Sequence, residues 1–126
     1  MSDMGIFRTT IEVASPERPG LRRRVESVMV DTGSEYTWLP RDLLDALGIV
    51  PERVDRFETA DRRVLERPVG FARIHAGGRT AAPAVAFAEP GDLALLGAHA
   101  LEGLNLRVDL ARRELIPAGP MPAAAA

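Results

Sequence analysis

The residues best suited to chemistry are Asp31, Thr32, Gly33 and Ser34, which directly follow the apolar run Val-Met-Val at positions 28–30. Two of these three apolar residues are β-branched, which favours a strand that ends at the acid. A carboxyl group delivered by a buried strand is held away from bulk water, and burial favours its neutral form. Such a group can give and take protons during a reaction. The segment therefore indicates a candidate acid–base site.

A second apolar segment, Leu-Leu-Gly-Ala-His-Ala-Leu, lies downstream at positions 95–101. It is followed by the alternating run Leu-Arg-Val-Asp-Leu at positions 106–110. In this order, the two segments and the Asp-Thr-Gly-Ser run resemble the retropepsin-like aspartic proteases, in particular single-lobe bacterial or cellular members. The resemblance covers roughly residues 6 to 117. It implies an all-β fold with one or two short helices, curled into a closed-barrel-like lobe.

The resemblance also implies a reaction, with Asp31, Thr32 and Gly33 as the catalytic residues. Two carboxyl groups hold one water and share one proton, and aspartic proteases are themselves the standard example of such a pair. The charged acid takes a proton from the water, while the neutral acid protonates the scissile carbonyl. Because the chain holds one Asp-Thr-Gly run, the second acid must come from an identical subunit. The expected protein is a homodimeric aspartic endopeptidase that needs no cofactor.

Further roles follow from the same resemblance. The Thr32 hydroxyl is expected to bond across the two-fold axis, and Gly33 allows close approach of the backbone. Ser34 is expected to donate a hydrogen bond to the Asp31 carboxylate, and Gly97 to pack behind the acid loop. A hairpin at the family's flap position has Asp-Arg-Arg at its tip. The predicted substrate-binding residues are Ser34, Glu35, Ala60, Asp61, Arg62 and Gly97.

Two departures from the family pattern keep an alternative open. Retroviral members usually follow the second glycine with arginine and then Asn or Asp, whereas this chain has Ala98 and His99. The expected flap also lacks the glycines of the retroviral flaps. The alternative is a non-catalytic peptide-binding or dimerisation module on a protease-like fold. A β-rich structural domain is a third interpretation, but it leaves both motif segments unexplained.

Composition limits the other functional classes. The 126 residues carry 16 basic and 18 acidic side chains, so a net charge of −2 gives no reason to expect a nucleic-acid partner. No cysteine and two histidines are present, and we therefore expect no metal site. The sequence shows neither a signal peptide nor a membrane span, and a cytoplasmic protein is expected. Residues 1–117 are expected to form the protease lobe, and residues 118–126 a disordered Pro/Ala tail.

Periodicity and turn signals predict the elements that must position the acid. We expect Trp38 to pack in the core rather than line a cleft, and Asp55, Glu89 and Asp92 to be loop charges that aid solubility. The expected elements are a strand at 7–13, a loop at 15–20, a strand ending at Asp31, a strand at 35–40, a helix at 41–47, hairpins across 61–62 and 77–79, a strand at 93–96, a helix containing Leu101 and Leu104, and a last hairpin turning near 111–113.

Overall fold

The computed structural model describes residues 7–125. The first six residues of the expected lobe and the last residue of the expected tail lie outside this range. In chain order, the elements are β1 (Phe7–Ser15), β2 (Arg18–Val30), β3 (Thr37–Pro40), α1 (Arg41–Ala46), β4 (Arg53–Glu58), β5 (Val64–Phe71), β6 (Arg73–Ala76), β7 (Arg79–Ala81), β8 (Ala84–Ala88), β9 (Leu95–Leu96), α2 (Ala98–Leu104), β10 (Leu106–Asp109) and β11 (Glu114–Pro117).

Nine strands form one sheet in the order β4-β5-β8-β3-β9-β2-β1-β6-β7, and β10 and β11 form a separate two-stranded sheet. The large sheet curls into a half-barrel with two short helices, which confirms the predicted all-β protease lobe. Within the described residues its outer strands are β4 and β7. Apolar side chains fill the inside of the curl, and the largest fully buried ones are Phe87, Ile11, Leu39, Leu44, Ile74, Leu96 and Leu104.

The β1–β2 hairpin is longer than the sequence predicts. The expected loop at residues 15–20 is wrong, because Ser15 pairs with Arg18 and the turn itself holds two residues. The Ser15 hydroxyl accepts a hydrogen bond from the Glu17 N–H at 3.2 Å, which stabilises so tight a turn. Pro19 is tolerated because it lies beside the first residue of its strand, where few ladder hydrogen bonds are needed.

The second expected hairpin is divided between two strand pairs. The Gly77-Gly78 turn joins β6 to β7, and residues 69–71 pair with Ala84–Ala86 of β8. Both glycines have positive φ, +58° and +74°, which a two-residue hairpin turn requires. Strand β7 is therefore absent from the predicted elements, since the diglycine turn pairs its immediate neighbours rather than strands farther along the chain.

The other predicted elements are present, but two strands are shorter than expected. The strand predicted at 35–40 is Thr37–Pro40, and the strand predicted at 93–96 is Leu95–Leu96. Helix α1 begins after Pro40 and buries Leu44, with Gly48 at φ +77° just beyond its end. The β10–β11 hairpin turns where expected. In the expected tail, the Ala118 N–H donates to the Asn105 carbonyl at 2.9 Å, and the disorder assigned to residues 118–126 stays a prediction. Within residues 7–125, neither helix is long or apolar enough to cross a bilayer.

Candidate active site

Asp31 emerges where two buried strand ends lie side by side. Strand β2 runs parallel to β9, with Met29 opposite Leu95 and Val30 opposite Leu96. The Asp31 N–H continues this ladder by donating to the Leu96 carbonyl at 3.0 Å. This hydrogen bond to the sheet fixes the position of the Asp31 backbone, and the residue lines a cleft.

The acid loop, which we define as residues 31–36, turns sharply around the Asp31 carboxylate. The Gly33 N–H donates to Asp31 Oδ1 at 2.9 Å, and the Ser34 N–H donates to the Asp31 carbonyl at 3.2 Å. A Cβ on Gly33 would lie 3.2 Å from the same Oδ1, so a larger residue would crowd the carboxylate. Asp31 is half-buried in the single chain, while Thr32 and Gly33 are exposed.

The predicted hydrogen bond from Ser34 to the Asp31 carboxylate is wrong. The Ser34 hydroxyl donates instead to the Tyr36 carbonyl at 2.9 Å, while the backbone N–H of Gly33 binds the carboxylate. The physical reason is the turn: the Ser34 N–H bonds back to the Asp31 carbonyl, and the half-buried Ser34 hydroxyl donates to a carbonyl two residues ahead in the same loop. Ser34 still lines the cleft described below.

Gly97 lies directly behind the acid loop, as predicted. A Cβ at this position would lie 2.3 Å from the Tyr36 carbonyl oxygen and 2.8 Å from that of Ser34. The Gly97 N–H donates to the buried Thr37 hydroxyl at 3.0 Å. Only a glycine lets the chain approach the loop this closely.

The first turn of α2 is hydrogen-bonded to the acid loop. The Ala98 N–H donates to the Ser34 carbonyl at 2.7 Å, and the His99 N–H donates to the Glu35 carbonyl at 3.1 Å. Free N–H groups at a helix start need acceptors, and the loop carbonyls supply them. The acid loop is thus tied to α2 by backbone hydrogen bonds.

A cleft of about 1050 Å³ opens beside the acid loop. One wall is aromatic: the Phe57 ring centroid lies 5.5 Å from that of Tyr36 and 4.9 Å from that of Trp38, both in edge-to-face geometry. Trp38 is half-buried and lines the cleft, so the expected purely structural role is incomplete. The lining comprises Asp31, Gly33, Ser34, Glu35, Tyr36, Trp38, Asp55, Arg56, Phe57, Glu58, Thr59, Ala60, Leu65, Asp92, Leu93 and Leu95.

Asp55 was expected to be a loop charge and is instead part of this wall. Its carboxylate accepts hydrogen bonds from the Tyr36 hydroxyl at 3.1 Å and from Arg53 Nε at 3.0 Å. Arg53 Nη2 also donates to the Tyr36 hydroxyl at 2.9 Å, and the hydrogen bonds to Tyr36 and Asp55 raise the pKa of Arg53. Alternation along β4 puts Asp55 and Phe57 on one face, a signal that sequence reasoning could have used.

Asp92 is a second acid whose expected role as a loop charge is wrong. It forms a bidentate pair with Arg67, with Nε to Oδ2 at 2.7 Å and Nη2 to Oδ1 at 3.0 Å, and it accepts the Glu89 N–H at 2.8 Å. Both side chains of the pair are largely buried. The hydrogen bond from Arg67 lowers the pKa of Asp92. Glu89, in contrast, pairs at the surface with Arg41 at 2.9 Å.

The tip of the β4–β5 hairpin is closed by its own side chains. Thr59 bonds to Asp61 and accepts the Arg63 N–H at 3.0 Å. The hydrogen bond from Thr59, with a second from Arg63, lowers the pKa of Asp61. Ala60 lines the cleft, whereas Asp61 and Arg62 are exposed and are not among its lining residues.

The two histidines lie apart from any ligand set. His75 Nδ1 pairs with the Thr80 hydroxyl at 2.8 Å, and the His99 ring lies 6.0 Å from that of Tyr36. In residues 7–125 no three acidic or histidine side chains converge so as to hold a metal ion.

A half-barrel lobe with an Asp-Thr-Gly loop braced by a glycine and a short helix defines an acid-protease lobe. The family model described as aspartyl protease matches residues 19–100, which is more than half of the chain. The chain therefore belongs to the aspartyl protease family. No curated protein matches its sequence.

Proposed function

We propose that the chain is an aspartic endopeptidase that acts as a homodimer. Hydrolysis uses a water held between two Asp31 carboxyl groups, one from each subunit. The observation that carries this proposal is the acid loop: the carboxylate of the one Asp-Thr-Gly run is fixed by the Gly33 N–H at 2.9 Å and lines a cleft of about 1050 Å³.

The neighbouring acids support a partner from a second subunit. Asp55 is already bonded to Tyr36 and Arg53, and Asp92 to Arg67. The other two acids of the cleft, Glu35 and Glu58, do not belong to an Asp-Thr-Gly run. Thr32 and Gly33 are exposed beside Asp31, where a second copy of the loop can reach them. In a two-fold dimer each loop meets its own copy, and the two acids then share one proton.

Each catalytic residue then has a defined task. The charged Asp31 takes a proton from the water as its oxygen attacks the scissile carbonyl, and the neutral copy protonates the carbonyl oxygen. When the tetrahedral intermediate collapses, the Asp31 copy that took the water's proton gives it to the leaving nitrogen, the other copy takes back a proton from a hydroxyl of the intermediate, and the peptide bond breaks. Thr32 sets the spacing of the two loops, and the Gly33 N–H holds the carboxylate. The peptide lies along the cleft, against Ser34, Glu35 and Ala60.

The test is cleavage of unstructured peptides from acid to neutral pH, followed by mass spectrometry. Wild type should cut, a statine-type transition-state mimic should block it, and Asp31→Asn should remove the activity. Asp42→Asn, which changes an exposed acid on α1, is the matched control and should cut normally. Equal activity of wild type and Asp31→Asn would refute the proposal.

Subunit mixing tests the shared pair directly. When equal amounts of wild type and Asp31→Asn are allowed to exchange subunits, about a quarter of random dimers hold two intact acids. Activity should therefore fall to about a quarter of that of the same total amount of wild type. A fall to only one half would show that each chain works alone.

The second candidate function is a non-catalytic peptide-binding module. The observation that favours it is the hairpin tip, which is charged and closed by the Thr59–Arg63 hydrogen bonds rather than built from glycines. Under this alternative, wild type and Asp31→Asn bind the same peptides equally and neither cuts them.

A further inference from the structure

The aromatic wall of the cleft contains an acceptor for a cation. Asp55 and Phe57 share the inner face of β4, and the Tyr36 hydroxyl donates to Asp55 Oδ2 at 3.1 Å. Tyr36 and Trp38 pack edge-to-face on Phe57, which leaves an aromatic surface next to the carboxylate. Carboxylates and aromatic faces both attract guanidinium and ammonium groups.

The structure shows which ligand chemistry this acceptor takes, because a guanidinium already occupies it. Arg53 Nε donates to both Asp55 oxygens at 3.0 Å, and Arg53 Nη2 donates to the Tyr36 hydroxyl at 2.9 Å. Arg53 is 45% exposed and two residues from its partner, whereas Asp55 is 27% exposed. Exposed ion pairs of this kind contribute little to stability, so another guanidinium can take its place.

The net charge of the cleft also favours a cationic ligand. Among its described lining residues, five carry a carboxylate and one, Arg56, carries a guanidinium. Of the five, Asp92 is paired with the buried Arg67, and Asp55 is paired with the more exposed Arg53. The remaining excess of negative charge favours a cationic ligand over an acidic one.

We propose that Tyr36, Trp38, Asp55 and Phe57 form a subsite for an arginine or lysine side chain of a bound peptide. The aliphatic part of that side chain lies on the rings, and its charged end displaces Arg53 from Asp55 and Tyr36. The inference rests on the proposed function in one respect: the ligand is taken to be a peptide because a protease cleft binds peptides. Selective binding itself can be measured without any cleavage.

The experiment measures binding of fluorescent peptides to Asp31→Asn protein by anisotropy. Two series of peptides are compared. Each peptide of the first series carries one arginine, and its counterpart in the second carries the uncharged isostere citrulline at the same position. Within each series, this position is shifted along the peptide one residue at a time. At one position, arginine should bind roughly tenfold more tightly, the size expected for one charge-assisted hydrogen bond. Adding Asp55→Asn should remove this preference, and adding Arg53→Ala should increase it, because the competing guanidinium is gone.

Glu58→Gln provides the matched control. Glu58 lies on the same strand and also borders the cleft, but it is on the face opposite Asp55. The arginine preference should survive Glu58→Gln and should partly return in Asp55→Glu, which restores the carboxylate. An equal loss in Glu58→Gln, a preference that persists in Asp55→Asn, or the absence of peptide binding would each overturn the subsite.

Cleavage by wild type separates this inference from the proposed function. If peptides are cut with no preference for arginine at any position, the subsite is wrong and the protease stands. If peptides bind with the Asp55-dependent preference and wild type never cuts them, the subsite stands and the protease is wrong.

Discussion

The acid loop and the tip of the β4–β5 hairpin border the same cleft but are held in different ways. The loop is bonded to distant parts of the chain. The Asp31 N–H donates to the Leu96 carbonyl, and the Ser34 carbonyl accepts the Ala98 N–H. The tip is bonded within itself, between Thr59 and Arg63. One wall is therefore placed by tertiary packing, and the other by its local sequence.

This difference matches how accurately each region must be positioned for the proposed function. A catalytic carboxylate must be placed to within a fraction of an ångström, and buried contacts from several elements achieve that. A hairpin tip that borders a peptide does not need such accuracy. Substitutions that disturb the bracing of the acid loop should therefore cost far more than substitutions at the tip.

The largest effect is expected for Gly97→Ala. The new methyl group would lie 2.3 Å from the Tyr36 carbonyl oxygen, and the neighbouring atoms are backbone that cannot rotate away. The loop must shift, and we expect the free energy of unfolding to fall by about 3 kcal/mol. Urea denaturation at a fixed protein concentration measures this loss. Peptide cleavage should fall about 100-fold, because the carboxylate is displaced.

Gly20→Ala is the control for Gly97→Ala. Gly20 lies in β2 and is exposed, has no atom within 4 Å of an added Cβ, and does not have a positive φ. The substitution should leave stability and cleavage near wild type. Equal effects at the two glycines would mean that the close approach behind the acid loop does not matter.

The next largest effect is expected for Asp92→Asn. Asp92 pairs with Arg67 of the β4–β5 hairpin, and this pair ties the hairpin to a segment distant in sequence. Arg67 of β5 is only 16% exposed and would keep its charge without a carboxylate partner. We expect a loss of about 2 kcal/mol at neutral pH. Since the pKa of Asp92 is lowered in the folded state, its contribution is complete above the ordinary carboxyl pKa.

The pH dependence of this loss has a definite sign. As pH falls below the ordinary carboxyl pKa of about 4, Asp92 takes up a proton in the unfolded state first, and wild type loses stability until the folded-state carboxylate is itself protonated at its lower pKa. The stability difference between wild type and Asp92→Asn should therefore shrink in acid, as measured by urea denaturation at several pH values. Asp45→Asn, which breaks an exposed pair with Arg41 at 3.7 Å, should have a small effect throughout. A constant difference at all pH values would contradict the role of the ion pair.

The contrast between the two regions also explains what the sequence could predict. The strand that ends at Asp31, the helix after Gly97 and the hairpin turning at Asp61 all have local signals, and all three are present. The pairing of Arg67 with Asp92 joins residues 25 positions apart, and no pattern in either segment indicates it. The hydrogen bond from the Ser34 hydroxyl to the Tyr36 carbonyl depends on the folded geometry of the turn, and nothing in the loop sequence indicates it.

Features that depend on residues close in sequence could therefore be predicted, for helices and strands alike. Contacts between residues far apart in sequence could not. The Gly77-Gly78 turn was recognised, but its partners were not, because a turn signal does not say how long the paired strands are. The cleft wall was missed for a similar reason. Tyr36, Asp55 and Phe57 come from two separate elements, and their contact exists only in the curled sheet.

The smallest effect is expected for Thr59→Val at the hairpin tip. The substitution removes the hydrogen bonds of the Thr59 hydroxyl to Asp61 and Arg63, all of which are exposed, so water can replace them. The urea midpoint should stay close to that of wild type, while the pKa of Asp61 rises toward its ordinary value, because its strongest stabilising contact is gone. An NMR titration of the Asp61 carboxyl measures the shift, and Thr59→Ser, which keeps the hydroxyl, should leave it lowered. A large loss of stability in Thr59→Val would mean that the tip, like the acid loop, is held by contacts beyond its own sequence.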